Sequence, residues 1–178
     1  MAGFWKGFFV GVIGLIAVVL YDDAGDKEQV EDRVETIENH LERARDGVQQ
    51  KFHQQMRSMT RQKSGVNLED ILPELDSAIS VVVWAYSVAT GDYNFKPLIT
   101  SANDYEGHSE RSAHYSGAAV DFRIKDMGGL EERRELADLI REELGERFVV
   151  LHEDVGKSNE HLHVQLRRGT YARNVVWK

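Results

Sequence analysis

An uncharged apolar run stands near the start of the chain. Residues 7–21 (GFFVGVIGLIAVVLY) carry no charged side chain, and the stretch 3–21 contains only Lys6. A helix over residues 3–21 would be roughly 28 Å long, which matches the hydrocarbon thickness of a bilayer. The pattern therefore predicts a transmembrane anchor at residues 1–22, with a lipid bilayer as partner through residues 3–21. A cleaved signal peptide and a buried hydrophobic hairpin are the alternatives.

The charges that flank this run predict its orientation. Lys6 precedes most of the apolar residues, and the acidic stretch DDAGDKEQVED follows Tyr21. Because positive charge favours the cytoplasmic side, we expect a single-pass protein with its N-terminus cytoplasmic or internal and its C-terminal bulk external. No small-residue cleavage site follows the apolar run, which favours an anchor over a signal peptide.

A heptad stripe of apolar residues follows the anchor within residues 26–60. Successive members are 4, 3, 4, 3 and 4 residues apart, which is the a/d spacing of a coiled coil. After Val48 the spacing becomes 4 and 4, a stutter that would locally unwind a supercoil. The pattern predicts a helical stalk at residues 23–64. It either pairs chains into a homo-oligomer or forms one amphipathic helix lying on the rest of the protein or on a membrane. The stripe consists of Val30, Val34, Ile37, Leu41, Ala44 and Val48.

The remaining residues, 65–178, are enough for one compact domain with mixed periodicities. Helical spacing appears in two segments, and β-type apolar runs or alternation appear in five. The fold class predicted is α+β, a small and largely antiparallel sheet with flanking helices. The predicted helices are 68–79, with Asn67 as N-cap, and 130–144, and the predicted strands are 81–88, 96–100, 118–124, 148–152 and 161–167.

Composition narrows the classes of function. The 178 residues include 30 acidic and 22 basic side chains, for a net charge of −8. This balance argues against nucleic acid as a partner, because such binding relies on Lys and Arg to displace phosphate counterions. The chain contains no cysteine, which excludes disulfide scaffolds, thiolate metal sites and cysteine nucleophiles.

Histidines are concentrated in the domain predicted at residues 65–178, where predicted strands alternate with loops. Five of the seven lie between positions 108 and 163. His114 and Asp121 are seven apart, and a turn at Ser116-Gly117 would bring His114 back beside Asp121 on the following strand. His161 and His163 are two apart, so a strand directs both imidazoles to one side.

Two imidazoles and one carboxylate make a three-ligand set that leaves a zinc ion one open position, as in catalytic zinc sites. Hydrolysis at such a site also needs a carboxylate to carry a proton. Glu160 is the first candidate, provided that it lies in the loop entering the strand, since on the strand itself it would face away from His163. Glu153 is the second candidate.

The stretch SAHYSGAAVDFR resembles the S-x-H-x-x-G-x-A-x-D motif of the zinc D-Ala-D-Ala carboxypeptidases and phage L-Ala-D-Glu endolysins, which share a superfamily with lysostaphin-type peptidases and the hedgehog signalling domain. EHLHV is similar to the second signature, and residues 99–104 (ITSAND) with Gly107-His108 and Ser112 are similar to the phage and prophage branch. The likeness covers residues 70–168. It implies His114, Asp121 and His163 as zinc ligands, Glu160 as base, and His161 as a residue that supports the ligands or stabilises the transition state.

One departure from the family concerns substrate contacts. Many relatives carry an Arg in a Gly-Tyr-Arg-Ser segment, whereas residues 99–102 here contain none. Arg111 or His108 would replace it, and Ser112 is the third candidate for substrate binding, although it is also interpreted as a hydroxyl that structures the loop.

The resulting functional hypothesis is a membrane-anchored zinc metallopeptidase that cleaves peptide stems or cross-links of bacterial peptidoglycan. The phage-type likeness favours a lysis or entry enzyme of a phage or virion, and a bacterial wall-remodelling enzyme is the nearest alternative. A different class is also open, in which the same fold is a non-catalytic zinc-binding structural or wall-binding membrane protein.

Overall fold

The computed structural model of the protein describes residues 27–104 and 112–169. The chain divides into two compact units after Lys51. Helix α1 (Lys27–Ser58) extends through the first of them and confirms the helix predicted for the stalk. In this unit Val34, Ile37 and Leu41 are half-buried, while the Val48 side chain is 69% exposed. Pairing of chains along this stripe, and the domain boundaries at 22 and 64, stay predictions.

The second unit contains a five-stranded sheet in the order β1-β2-β3-β5-β4. β1 runs parallel to β2, and every other neighbouring pair is antiparallel. The α+β class is confirmed, and the sheet is mixed because of the short β1. The elements are β1 (Arg61–Gln62), α2 (Pro73–Thr90), β2 (Leu98–Ser101), β3 (Ala119–Phe122), α3 (Leu130–Leu144), β4 (Phe148–Glu153) and β5 (His161–Leu166), with short 3-10 helices at Ala113–Ser116 and Gly145–Arg147.

The strand predicted at 81–88 is wrong, because these residues form the C-terminal half of α2. Leu75, Ile79, Val82 and Tyr86 are all at most 2% exposed and recur at helical spacing. Burial of this face outweighs the β-propensity of the valine run. The helix predicted at 68–79 instead begins at Pro73, a residue whose fixed φ suits the first turn.

Buried and less buried side chains alternate along β5, so one face of the strand belongs to the core and the other does not. Leu162, Val164 and Leu166 are at most 1% exposed and belong to the hydrophobic core that also includes residues of α2 and α3. Since successive side chains point to opposite faces, His161 and His163 lie on the other face of the strand. The sheet thus divides a core side from a side on which polar groups gather.

Among residues 27–104 and 112–169, no helix is both long and apolar enough to cross a bilayer. The anchor predicted at residues 1–22 lies outside the described residues. So do His108 and Arg111, two of the three candidate substrate-binding residues.

Candidate metal centre

The candidate metal centre consists of His114, Asp121 and His163. A tight turn positions His114 in it. His114 lies in the 3-10 helix Ala113–Ser116, and its backbone N–H donates to the Ser112 hydroxyl at 3.3 Å. Gly117 ends this helix with φ +64°, and a Cβ there would clash with the carbonyl oxygen of Asp70. Only glycine therefore allows this approach. The turn predicted at Ser116-Gly117 is confirmed. The bond from His114 to the Ser112 hydroxyl agrees with a hydroxyl that structures the loop, and the substrate-binding role of Ser112 stays a prediction.

Antiparallel pairing of β3 with β5 brings the other two candidate ligands together. Asp121 and His163 are direct cross-strand partners, and the His163 Nδ1 to Asp121 Oδ1 distance is 2.8 Å. His114 Nε2 lies 3.3 Å from the same oxygen. The ligand atoms of the three side chains all lie within 4.8 Å of one another, so the group could hold a metal ion.

Each imidazole is oriented by an acceptor on its far side. His114 Nδ1 lies 2.6 Å from the carbonyl oxygen of Ala102, and His163 Nε2 lies 3.2 Å from Gln165 Oε1. In the neutral tautomer that donates through these outer nitrogens, His114 Nε2 and His163 Nδ1 carry no proton and are the atoms that would bind a metal. As the structure stands, the same two nitrogens are placed to donate to Asp121. Such outer hydrogen bonds typically fix the tautomer of metal-binding histidines. The donor set therefore fits a divalent ion that takes nitrogen and carboxylate ligands.

The surroundings of Asp121 keep its carboxyl group ionised, which is the form that binds metal ions. Burial would by itself raise the pKa of its carboxyl, but hydrogen bonds from His114 and His163 outweigh burial and hold this pKa well below its ordinary range. Burial would lower the pKa of His163, yet the hydrogen bond to Asp121 raises it overall. Asp121 is thus ionised throughout the neutral range, as metal binding requires.

His161 lies between Glu153 and the triad of His114, Asp121 and His163. Its Nε2 lies 3.7 Å from Asp121 Oδ2 and 3.3 Å from Glu153 Oε2, while its Nδ1 donates to the carbonyl of Asn159 at 2.7 Å. Glu153 ends β4 directly opposite His161, and its side chain is 44% exposed. The structure therefore places Glu153, the second candidate for the proton-carrying carboxylate, on the polar side of the sheet.

Glu160 contacts different partners. It precedes β5, as its predicted role requires, but its side chain is only 1% exposed and pairs with Arg133 Nη1 and His152 Nε2, each at 2.8 Å. His152 is the cross-strand partner of Leu162, which lies on the core side of the sheet. The Glu160 carboxylate thus links α3 to β4, and its contacts in the structure do not include the triad. Its role as a base stays a prediction.

Glu160→Gln is expected to lower the free energy of unfolding at pH 7 by about 3 kcal/mol, because it leaves Arg133 without its carboxylate partner. Burial would raise the pKa of Glu160, but hydrogen bonds from His152 and Arg133 hold it below its usual 4.5. On acidification the unfolded chain therefore takes up this proton first, and the contribution is lost as pH falls below about 4.5. Chemical denaturation at several pH values measures both effects.

The matched control for this variant is Glu153→Gln, which removes a partly exposed carboxylate from the same region and should change stability little. A stability loss in Glu160→Gln that is as large at pH 3 as at pH 7 would show that the ionised pair is not what stabilises the fold.

An open cleft of about 1200 Å³ adjoins the centre. Asp121 and His161 are among its lining residues, so a molecule in the cleft can reach the polar side of the triad. Three features of this region were not predicted from sequence: the Ala102 carbonyl, the Arg133 partner of Glu160, and Gln165. Gln165 alone had a signal, since it shares the alternation of His161 and His163 along β5. The cleft is also lined by Lys63, Asn67, Thr100, Asn103, Arg123, Ser158 and Glu160.

Comparisons of the chain with protein-family models, with curated proteins and with solved structures give no match.

Proposed function

We propose that this protein is a zinc-dependent peptidase whose centre is His114, Asp121 and His163. The observation that supports it most is the pair of oriented imidazoles, each with one nitrogen bonded outward and the other directed at a shared aspartate oxygen. A purely structural zinc site is usually closed by four protein ligands, whereas three ligands beside a cleft leave room for a reacting group.

When bound, zinc would supply a Lewis acid that polarises a carbonyl and lowers the pKa of water. The chain itself must then accept a proton from the attacking water and return it to the leaving nitrogen. We assign this task to Glu153, because its carboxylate is accessible and touches His161, which in turn reaches Asp121. The Glu160 carboxylate is already engaged by two cationic or donor partners and instead fixes the segment entering β5.

The proposed substrate is the peptide part of bacterial peptidoglycan. Support comes from the likeness of residues 112–123 (SAHYSGAAVDFR) and 160–164 (EHLHV) to zinc D-Ala-D-Ala carboxypeptidases and phage endolysins. The apolar run at residues 3–21 adds the proposal of an anchor that holds this domain on the outer side of a membrane, facing the wall. A phage or virion enzyme for lysis or entry fits both features.

Incubation of the full chain with purified cell-wall sacculi tests this function. We expect soluble muropeptides with new peptide ends in the presence of zinc, none after treatment with a chelator, and recovery when zinc is restored. Mass spectrometry identifies the cleaved bond. Stoichiometric zinc binding without release from any wall preparation would contradict the enzyme and support the non-catalytic, wall-binding or structural alternative.

The stalk supports a further proposal, self-association along the stripe of α1. Val34, Ile37 and Leu41 repeat at heptad spacing within the confirmed helix. Sedimentation of the full chain in detergent is expected to show oligomers, and Ile37→Asn with Leu41→Asn should shift the distribution to monomers. Exposed Glu38→Gln on the same helix is the control. A wild-type chain that is monomeric at high concentration would remove the proposal.

A further inference from the structure

A buried side chain beside the metal centre has an unused hydrogen-bond acceptor. Asn103 follows β2 by two residues and is 4% exposed. Its Oδ1 has no hydrogen-bond partner among the described residues. Because most buried polar atoms in native structures are paired, an unpaired one needs an explanation, and a ligand that completes it is a direct one.

The backbone around Asn103 is held firmly. Its N–H donates to the Asn67 carbonyl at 3.0 Å. The Asp104 carboxylate accepts the N–H groups of Ala102 and Asn67, at 3.0 and 3.1 Å. These bonds fix the backbone on both sides of Asn103.

Asn103 also lies next to the metal centre in sequence and space. The carbonyl of the preceding Ala102 accepts the hydrogen bond that orients His114. Asn103 lines the same cleft as Asp121, Thr100 and His161. A molecule that occupies this cleft therefore lies against both Asn103 and the centre.

We infer that Asn103 is a substrate-positioning residue whose Oδ1, once the carboxamide rotates towards the cleft, accepts a hydrogen bond from a backbone amide N–H of the peptide there. The inference rests on the proposed peptidase function. A carboxamide oxygen only accepts, so it selects a donor, and every non-proline peptide unit offers one. The hydrogen bond holds the peptide chain in register with the centre, and it satisfies the orphan oxygen at the same time.

Asn103→Leu tests this in kinetics and stability together. We expect KM for stem peptides to rise about 10-fold, the worth of one lost hydrogen bond, with little change in kcat. The melting temperature should stay the same or rise, because the variant removes an unpaired buried oxygen. A merely structural asparagine would give the reverse, a lower melting temperature with unchanged KM, and would overturn the inference. Exposed Asn94→Leu is the matched control and should change neither.

Ester analogues give a test that does not depend on the variant's folding. A synthetic stem tetrapeptide and a set of analogues, each with one amide N–H replaced by oxygen, are titrated into the metal-free full chain so that no hydrolysis intervenes. One analogue is expected to bind the wild type about 10-fold more weakly than the parent, with that penalty absent in Asn103→Leu. Equal penalties in both proteins, no penalty at any position, or no peptide binding would overturn the inference.

The two proposals can fail separately. A position-specific N–H effect that depends on Asn103, in a protein that releases no muropeptides, would retain this inference and remove the peptidase. Muropeptide release without any such effect would do the opposite.

Discussion

His163→Ala is expected to abolish stoichiometric zinc binding and to lower the affinity for zinc by more than about 100-fold. The variant removes one of three ligands and takes from Asp121 its closest partner, the imidazole nitrogen at 2.8 Å. Losses of 10- to 100-fold are typical when only an outer hydrogen bond to a ligand is lost, so loss of the ligand itself should cost more. Competition with a chromophoric chelator measures the affinity.

Two further variants make this result specific. Gln165→Leu leaves all three ligands in place but removes the acceptor for His163 Nε2, so its affinity should fall by an intermediate 10- to 100-fold. His40→Ala removes an exposed histidine of α1 and should leave zinc affinity unchanged. If His163→Ala still binds one zinc ion with wild-type affinity, the ligand assignment is wrong.

Glu153→Gln is expected to lower kcat by about 10²- to 10⁴-fold while zinc affinity stays near that of the wild type. Glutamine keeps the shape of the side chain and its contact with His161 but cannot take up a proton at neutral pH. The matched variant is Glu160→Gln, which should keep most of its activity at temperatures where it remains folded. Release of muropeptides at saturating substrate, with zinc content measured in parallel, gives the comparison.

The opposite pattern would exchange the two roles. A folded, zinc-loaded Glu160→Gln that is inactive, together with an active Glu153→Gln, would return the proton transfer to Glu160 as the family likeness implies. This pair of variants therefore decides between an assignment made from contacts and one made from sequence similarity.

Local patterns were sufficient for much of the site. The two-residue spacing of His161 and His163 predicts a shared strand face, and the turn at Gly117 predicts the return of His114 towards Asp121. Both are confirmed by the β3–β5 register and the left-handed glycine. Strand parity also indicated in advance that Glu160 could reach His163 only from a loop.

Features that depend on distant packing were not accessible in this way. The valine run at 81–83 has the composition of a strand, and only its burial within the helical face of α2 decides its structure. The pairing of Glu160 with Arg133 joins residues 27 positions apart across two elements. The carbonyl of Ala102 is a backbone group, so no side-chain motif could predict that it would orient His114.

A diffraction experiment at the zinc absorption edge on the zinc-loaded full chain tests the central claim most directly. We predict one anomalous peak per chain, with His114 Nε2, His163 Nδ1 and an Asp121 oxygen at about 2.0–2.2 Å from it. The Glu160 carboxylate should remain paired with Arg133. Zinc bound at another position, or with any of these three atoms beyond coordinating distance, would contradict the account.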